Sequence, residues 1–352
     1  MKALTFQGIR DIRYESAADP VIVAPEDVIV KVLYTAVCGS DLHIYHGRES
    51  GLDTGTVMGH EFVGEIVETG RAVKKLKKGD HVVSPFTTNC GECYYCRIGL
   101  TCRCERGQLY GWVENGHGLH GGQAEYVRVP MADTTLVRYS AEMDATQVLL
   151  TGDIMATGYF CADQADVRPE GVYAVVGCGP VGLMAILGAK ARGAETIFAI
   201  DTIPERLEWA KKLGAIPIDF QERDSLERIR SLTHGRGADG VMEAVGSSSA
   251  ARLAYDLVRP GGIISTVGVH TSPGFPFSPA QAYDKNLTYK IGRCPARFYM
   301  EKLLESIQAG QADLRPFIST IMPLAEGRTA YDRFDRKEPG YLKVILKSTE
   351  GV

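Results

Sequence analysis

No stretch of the 352-residue chain approaches eighteen uninterrupted apolar residues, so the sequence offers no membrane-spanning helix. Like charges do not run together beyond the short Lys74–Lys78 cluster. The balance of 39 basic against 43 acidic residues leaves a formal net charge of −4, without the basic footprint that nucleic acid or an anionic membrane demands. Neither partner is expected. The segment Met1–Phe6 lacks an apolar core followed by a small-residue cleavage site, and a cytoplasmic protein is expected. Internal repeats, low-complexity tracts and long linkers are also missing. What is present is 45% hydrophobic residues with 39 Gly and 16 Pro, enough apolar material for a large core, which excludes disordered and fibrous classes. The length predicts two domains.

The nine cysteines are unevenly spread: Cys90, Cys93, Cys96, Cys102 and Cys104 crowd together, whereas Cys38, Cys161, Cys178 and Cys294 are scattered. In a reducing compartment an odd, clustered set favours metal over disulfides. Cys90-x-x-Cys93-x-x-Cys96, followed after seven residues by Cys104, offers four thiolates for a tetrahedral, fully coordinated structural zinc. Cys102 is the rival fourth ligand. A redox Cys-x-x-Cys would open a helix in a thioredoxin-like unit, and this spacing does not resemble one. Cys161, Cys178 and Cys294 read as ordinary buried thiols.

The first 140 residues carry short β-type runs, among them Val28–Leu33, Val63–Val67 and His81–Ser84, separated by Gly, Pro and Asp turn signals. From about residue 155 strands and helices alternate: Val172–Val176, a helix over Gly182–Arg192, Thr196–Ile200, a helix over Pro204–Leu213, then Gly240–Ala244, Ala250–Val258 and Ile263–Val267. This rhythm predicts a doubly wound parallel sheet. A helix over Tyr299–Ala309 and a closing strand over Leu342–Leu346 fall outside the alternation and are expected to return to the first domain.

Gly177-Cys178-Gly179-Pro180-Val181-Gly182 is a Gly-x-Gly-x-x-Gly motif between a predicted strand and a predicted helix. In that setting the first glycine makes a tight turn, the second lets backbone approach a pyrophosphate, and the third packs helix on sheet. Asp201 ends the next strand, where a carboxylate can accept from the adenosine ribose and repel a 2′-phosphate. That favours NAD over NADP, with Arg206 keeping some NADP use open. Asp201 also reads as a turn residue or as the cap of the helix near Pro204.

Cys38-Gly39-Ser40-Asp41-Leu42-His43 and Gly59-His60-Glu61-Phe62-Val63-Gly64 add metal-ligating side chains at predicted strand ends. Together with the thiolate cluster and the glycine motif, they make the chain resemble, over its whole length, the zinc-dependent medium-chain alcohol dehydrogenases. The resemblance implies a GroES-like β-barrel catalytic domain (1–154 and 294–352) and a Rossmann NAD-binding domain (155–293). It implies two zinc ions per chain, one catalytic and one structural. Cys38 and His60 match the first two catalytic ligands. Asp153 stands where the family usually has Cys, a sound replacement that leaves a fourth position open. Glu61 is implied either as a residue behind the ligands or as an exchangeable ligand.

By the same resemblance Ser40 is the hydroxyl partner of the substrate oxygen and His43 the end of a proton relay. Thr157 and Val181 contact the nicotinamide, and Val245, Val267 and Val269 line the cofactor groove. Phe86 lines the substrate pocket, with Tyr45 and Trp112 as further candidates. Segments Gly121–Pro130 and Gly292–Arg297 resemble the formaldehyde-dehydrogenase-like branch. The expected activity is hydride transfer between a small or medium alcohol, or its aldehyde or ketone, and NAD. The alternatives are a polyol or sugar dehydrogenase, a formaldehyde dehydrogenase-like enzyme, and a non-catalytic NAD-sensing zinc protein. A homodimer or homotetramer is expected.

Overall fold

Val28–Ala36, rich in β-branched residues, is buried along most of its length and organises a seven-stranded sheet. Strands buried on both faces need apolar residues at successive positions, which this run supplies. Its first half pairs antiparallel with Tyr126–Val129 and its last residues with Val344–Lys347, while Phe62–Thr69 runs along its other edge. His81–Val83 and Val137–Arg138 extend the sheet beyond Phe62–Thr69, and Thr320–Pro323 lies outside Val344–Lys347. Register shifts between Ile29 and Val30 and between Val32 and Tyr34 bend the central strand, as β-bulges do. The computed structural model, which describes residues 1–221, 225–271 and 273–348, assigns this sheet to a unit formed by Met1–Asp153 and Pro295–Val352.

The closing strand begins at Val344 rather than Leu342, because it is Ile345–Lys347 that pair with Ala36–Tyr34. The helix expected over Tyr299–Ala309 spans Ala296–Gln308 and starts directly after Pro295.

The second unit, Ile154–Cys294, holds a six-stranded parallel sheet of Val172–Val176, Thr196–Asp201, Ile216–Asp219, Ala238–Glu243, Val258–Thr266 and Thr288–Ile291. Numbered along the chain, their spatial order is 3-2-1-4-5-6. This is the doubly wound Rossmann arrangement, in which strand order reverses beside the first strand and a crevice opens beyond the carboxyl ends there. The core under the sheet is apolar, with Phe198, Ile200, Val241, Leu253 and Ile264 all buried. The helix after the glycine motif begins at Pro180, two residues earlier than expected, since Pro at the first helical position lacks only an N–H that would go unpaired anyway. Among the described residues no helix is long and apolar enough to cross a membrane.

Candidate metal centres and cofactor crevice

The antiparallel register that pairs Thr35 with Phe62 brings the residues after one strand beside those before the other. The N–H of Ala36 and the hydroxyl of Thr35 both donate to the Glu61 carbonyl, at 3.3 and 2.7 Å. Cys38 and His60 therefore face one another, and Asp153, just beyond the helix Ala145–Thr151, joins them. Asp153 Oδ2 is 3.4 Å from Cys38 Sγ and 3.2 Å from His60 Nε2. The donor atoms of Cys38, His60, Glu61 and Asp153 all lie within 4.8 Å of one another. Ligands about 2.0–2.3 Å from a tetrahedral zinc sit at such separations, and a thiolate, an imidazole and a carboxylate are zinc donors. The set fits the metal.

Charge around the set also suits a cation. Burial first, then the carboxylates of Asp153 and Glu61, push the Cys38 thiol up to about 11. Burial alone would lower the His60 pKa, yet Asp41, Asp153 and Cys38 hold it well above the ordinary value. The raised His60 reports negative charge gathered around it, and the Cys38 shift reports burial first and that same charge second.

Two residues that sequence reasoning did not single out complete this centre. Asp41, 2% exposed, places Oδ1 3.2 Å from His60 Nδ1, while its Oδ2 accepts the Cys38 N–H at 2.9 Å. One carboxylate thus fixes two candidate ligands and leaves His60 Nε2 turned to the candidate metal position. Gln123 steadies it from behind, donating to Asp41 at 3.4 Å and to the Ala36 carbonyl at 3.1 Å, and accepting the Tyr331 hydroxyl at 2.9 Å. Lys343 is the second: its ammonium is 1% exposed, 2.6 Å from Glu61 Oε1 and 3.2 Å from the Val37 carbonyl. Burial would lower the Lys343 pKa, but the surrounding negative groups, Glu61 foremost, hold it raised. Glu61 Oε2 is buried with no hydrogen-bond partner among the described residues. The spacing of Asp41 three residues after Cys38 was the available signal for the first. A single lysine inside the apolar run Leu342–Leu346 was the signal for the second.

Ser40 occupies the N-cap of the helix Asp41–Tyr45 but makes no capping bond with its side chain; its Oγ lies 3.3 Å from His60 Nε2 instead. Phe86 is buried and sets its ring edge-on to His60 at 6.4 Å. His43 lies on the same short helix with Nδ1 buried and without a hydrogen-bond partner among the described residues. Tyr45 and Trp112 are brought together elsewhere, in an apolar cluster with Tyr331, where Tyr45 donates to Asp332 at 2.8 Å.

The sulfurs of Cys90, Cys93, Cys96 and Cys104 form a second group within 4.8 Å. Backbone N–H groups already point at two of them, Cys90 donating to Cys104 Sγ at 3.2 Å and Cys93 to Cys90 Sγ at 3.4 Å. Backbone donors from Glu105 and Cys96 lower the Cys93 thiol to about 6, whereas burial and the Cys93 contact lift Cys96 to about 12. Cys102 is buried in the turn Thr101–Arg103 and stands outside the group.

In the second unit the glycine motif shows its three roles separately. Gly177 has φ +89°, a Cβ on Gly179 would meet Arg206 Nη1 at 3.7 Å, and a Cβ on Gly182 would stand 1.8 Å from the Gly177 carbonyl oxygen. Asp201 accepts the N–H of Cys178 at 2.7 Å with one oxygen and those of Thr202 and Ile203 at 2.7 and 3.0 Å with the other. Arg206 is 3.9 Å from it. Asp201 thus braces the glycine turn and opens the next helix. Thr157 is buried in the helix Ile154–Gln164, Val181 is half-buried at the start of its helix and Val267 half-buried just past its strand, whereas Val245 and Val269 are exposed beyond the fourth and fifth strands.

Comparison with known proteins agrees with this geometry. Residues 24–139 match the family model described as alcohol dehydrogenase GroES-like domain, and residues 180–308 that described as zinc-binding dehydrogenase. Zinc-type alcohol dehydrogenase B of Aspergillus flavus is 44% identical over 99% of this chain and 82% of its own. The solved alcohol dehydrogenase TADH from Thermus sp. ATN1 is 41% identical with a TM-score of 0.92, covering 99% of both chains. A glutathione-independent formaldehyde dehydrogenase of Bacillus subtilis is 32% identical over 88% of this chain and 84% of its own, which gives that branch weaker support. The chain belongs to the zinc-dependent medium-chain alcohol dehydrogenase family. It is a zinc-dependent oxidoreductase of the alcohol dehydrogenase class.

Proposed function

We propose that this enzyme transfers hydride between a small or medium alcohol and NAD, with Cys38, His60 and Asp153 holding the catalytic zinc. The convergence of those three donors on one point, with the Glu61 carboxylate drawn to Lys343, carries the reading. Three protein ligands leave the fourth position for substrate. Zinc bound there supplies a Lewis acid that favours the alkoxide form of the alcohol, and the dinucleotide supplies the hydride acceptor.

The protein's own groups handle binding and the proton. Ser40, 3.3 Å from His60 Nε2, offers a hydroxyl that accepts and donates at once at the substrate oxygen. His43 receives the proton further out; burial lowers its pKa, so its imidazole is neutral and able to accept. Phe86, packed on His60, provides an apolar wall for the substrate carbon chain. Cys90, Cys93, Cys96 and Cys104 hold the structural zinc. Asp201 supports NAD over NADP, since a 2′-phosphate would meet its carboxylate. Thr157, Val181, Val245, Val267 and Val269 line the cofactor's path. Thr288–Ile291 is an edge strand with Ile291 exposed, which supports a homodimer or homotetramer built through that edge.

The test pairs metal content by mass spectrometry with NAD-linked oxidation of 2-propanol, sorbitol and formaldehyde. Two zinc ions per chain falling to one in Asp153→Ala, with oxidation lost, supports the ligand set. Two zinc ions and full activity in that variant would sink it. The substrate panel separates a simple alcohol from the polyol and formaldehyde alternatives.

A further inference from the structure

Glu243, the last residue of the fourth strand in the dinucleotide-binding unit, is fully buried and carries an acceptor load that the hydride chemistry above does not use. Its Oε1 accepts two backbone N–H groups of the following loop, Val245 and Gly246, both at 2.7 Å. Its Oε2 faces His270 Nε2 at 3.1 Å, on the loop after the fifth strand. Its own carbonyl accepts the N–H of Val267 at 3.0 Å. One side chain therefore joins the loops that follow two neighbouring strands, and only a carboxylate presents acceptors to both.

The two loops meet backbone to backbone. A Cβ on Gly268 would come within 2.1 Å of the Gly246 nitrogen, and one on Gly246 within 2.4 Å of the Val269 carbonyl oxygen. Val245 in turn leans over the glycine turn, its Cγ2 2.4 Å from where a Cβ on Gly177 would sit. Val245 and Val269 are nonetheless 46% and 41% exposed, apolar side chains left uncovered at the carboxyl ends of the strands. In a sheet of this order that is the rim of the crevice where a dinucleotide lies. Asp201, proposed above as the partner of the adenosine half, stands on the other side of the first strand, so these loops are assigned to the nicotinamide half.

We propose that Glu243 and His270 form a positioning pair that locks the loops bearing Val245 and Val269 into one rim and so orders the nicotinamide half of the bound dinucleotide. The proposal rests on the dinucleotide reading. Neither residue is a catalytic residue here: both act through the backbone they hold. Without the His270 bond, the remaining ties between the second loop and Glu243 among the described residues are main-chain ones, from the N–H groups of Val267 and Gly268, and part of the binding energy is spent on ordering the loop.

The experiment is fluorescence titration of the full-length, zinc-loaded protein with NADH, in parallel with calorimetric titration with AMP. For His270→Ala the expected result is NADH affinity weakened about tenfold with AMP affinity unchanged, and recovery of most of the loss in His270→Gln, whose amide can again reach Glu243. Glu243→Gln is expected to weaken NADH in the same direction. Unchanged NADH affinity in His270→Ala overturns the proposal, as does an equal loss for AMP, which would mean a general structural defect. Failure of the unaltered protein to bind either NADH or NADPH would overturn the dinucleotide reading itself.

Discussion

Asp41 grips His60 through Oδ1 and the Cys38 backbone through Oδ2, so one buried carboxylate sets the orientation of two proposed zinc ligands. Carboxylates behind a metal-bound imidazole typically account for about 10–100-fold in metal affinity. Asp41→Asn is expected to weaken catalytic-site zinc by that factor while the Cys90–Cys104 ion stays bound. Competition with a chromogenic chelator, read as a fast and a slow phase of zinc release, separates the two sites. Equal release of both ions would contradict it.

Lys343 and Glu61 are both withdrawn from water. Removing one partner of a buried pair strands the other charge, at a cost of about 3–5 kcal/mol. Lys343→Met is expected to destabilise the protein by that order in urea unfolding, and Glu61→Gln added to it should recover part of the loss. Strictly additive effects in the double variant would show that the two side chains do not interact.

The lowered pKa of His43 has a clear sign in a pH profile. Burial, then the charges of Arg48 and His46, disfavour its protonated form, so the imidazole remains neutral to a lower pH than an ordinary histidine. A proton acceptor fails only when protonated. The acid limb of kcat/KM is therefore expected below pH 6.5, and His43→Gln should flatten that limb and lower the rate. A limb that persists unchanged in the variant would assign it to another group.

Cys102 and Cys104 are two residues apart and both buried, yet only Cys104 joins the sulfur group. Cys104→Ser is expected to lose the structural zinc and several degrees of thermal stability. Cys102→Ser should keep both ions, as metal analysis of the two proteins would report.

The Rossmann unit was the most legible part of the chain because each of its signals is local. Strand, glycine turn and helix follow one another without interruption from Val172 to Ala191, and Gly177 and Gly182 have steric reasons that the spacing of the motif anticipates. The thiolate cluster is local for the same reason. The catalytic set is dispersed, and Cys38, His60 and Asp153 came from family resemblance rather than from periodicity or spacing. Lys343 escaped because its meaning depends on a partner 282 positions away, Glu61, whereas Asp41 sits close in sequence to Cys38 and His60 but reads as an ordinary helix-start carboxylate until the fold sets it against them. Tyr45 and Trp112 illustrate the opposite difficulty. An aromatic side chain at a site and one in a core look alike in sequence, and only the packing around Tyr331 and Asp332 tells where these two stand.

The strand Val344–Lys347 pairs with Ala36–Tyr34, and the residue just before it carries the only ammonium recorded on Glu61. A polypeptide leaves the ribosome from its amino terminus, so Cys38, His60 and Glu61 emerge long before that counter-charge does. Until then the carboxylate lacks that ammonium and the sheet lacks one of its inner members. The cluster of Cys38, His60, Glu61 and Asp153 is therefore expected to complete only after Lys343 emerges, and a nascent chain interrupted short of it is expected to hold zinc at the Cys90–Cys104 thiolates before it can do so at the other proposed site.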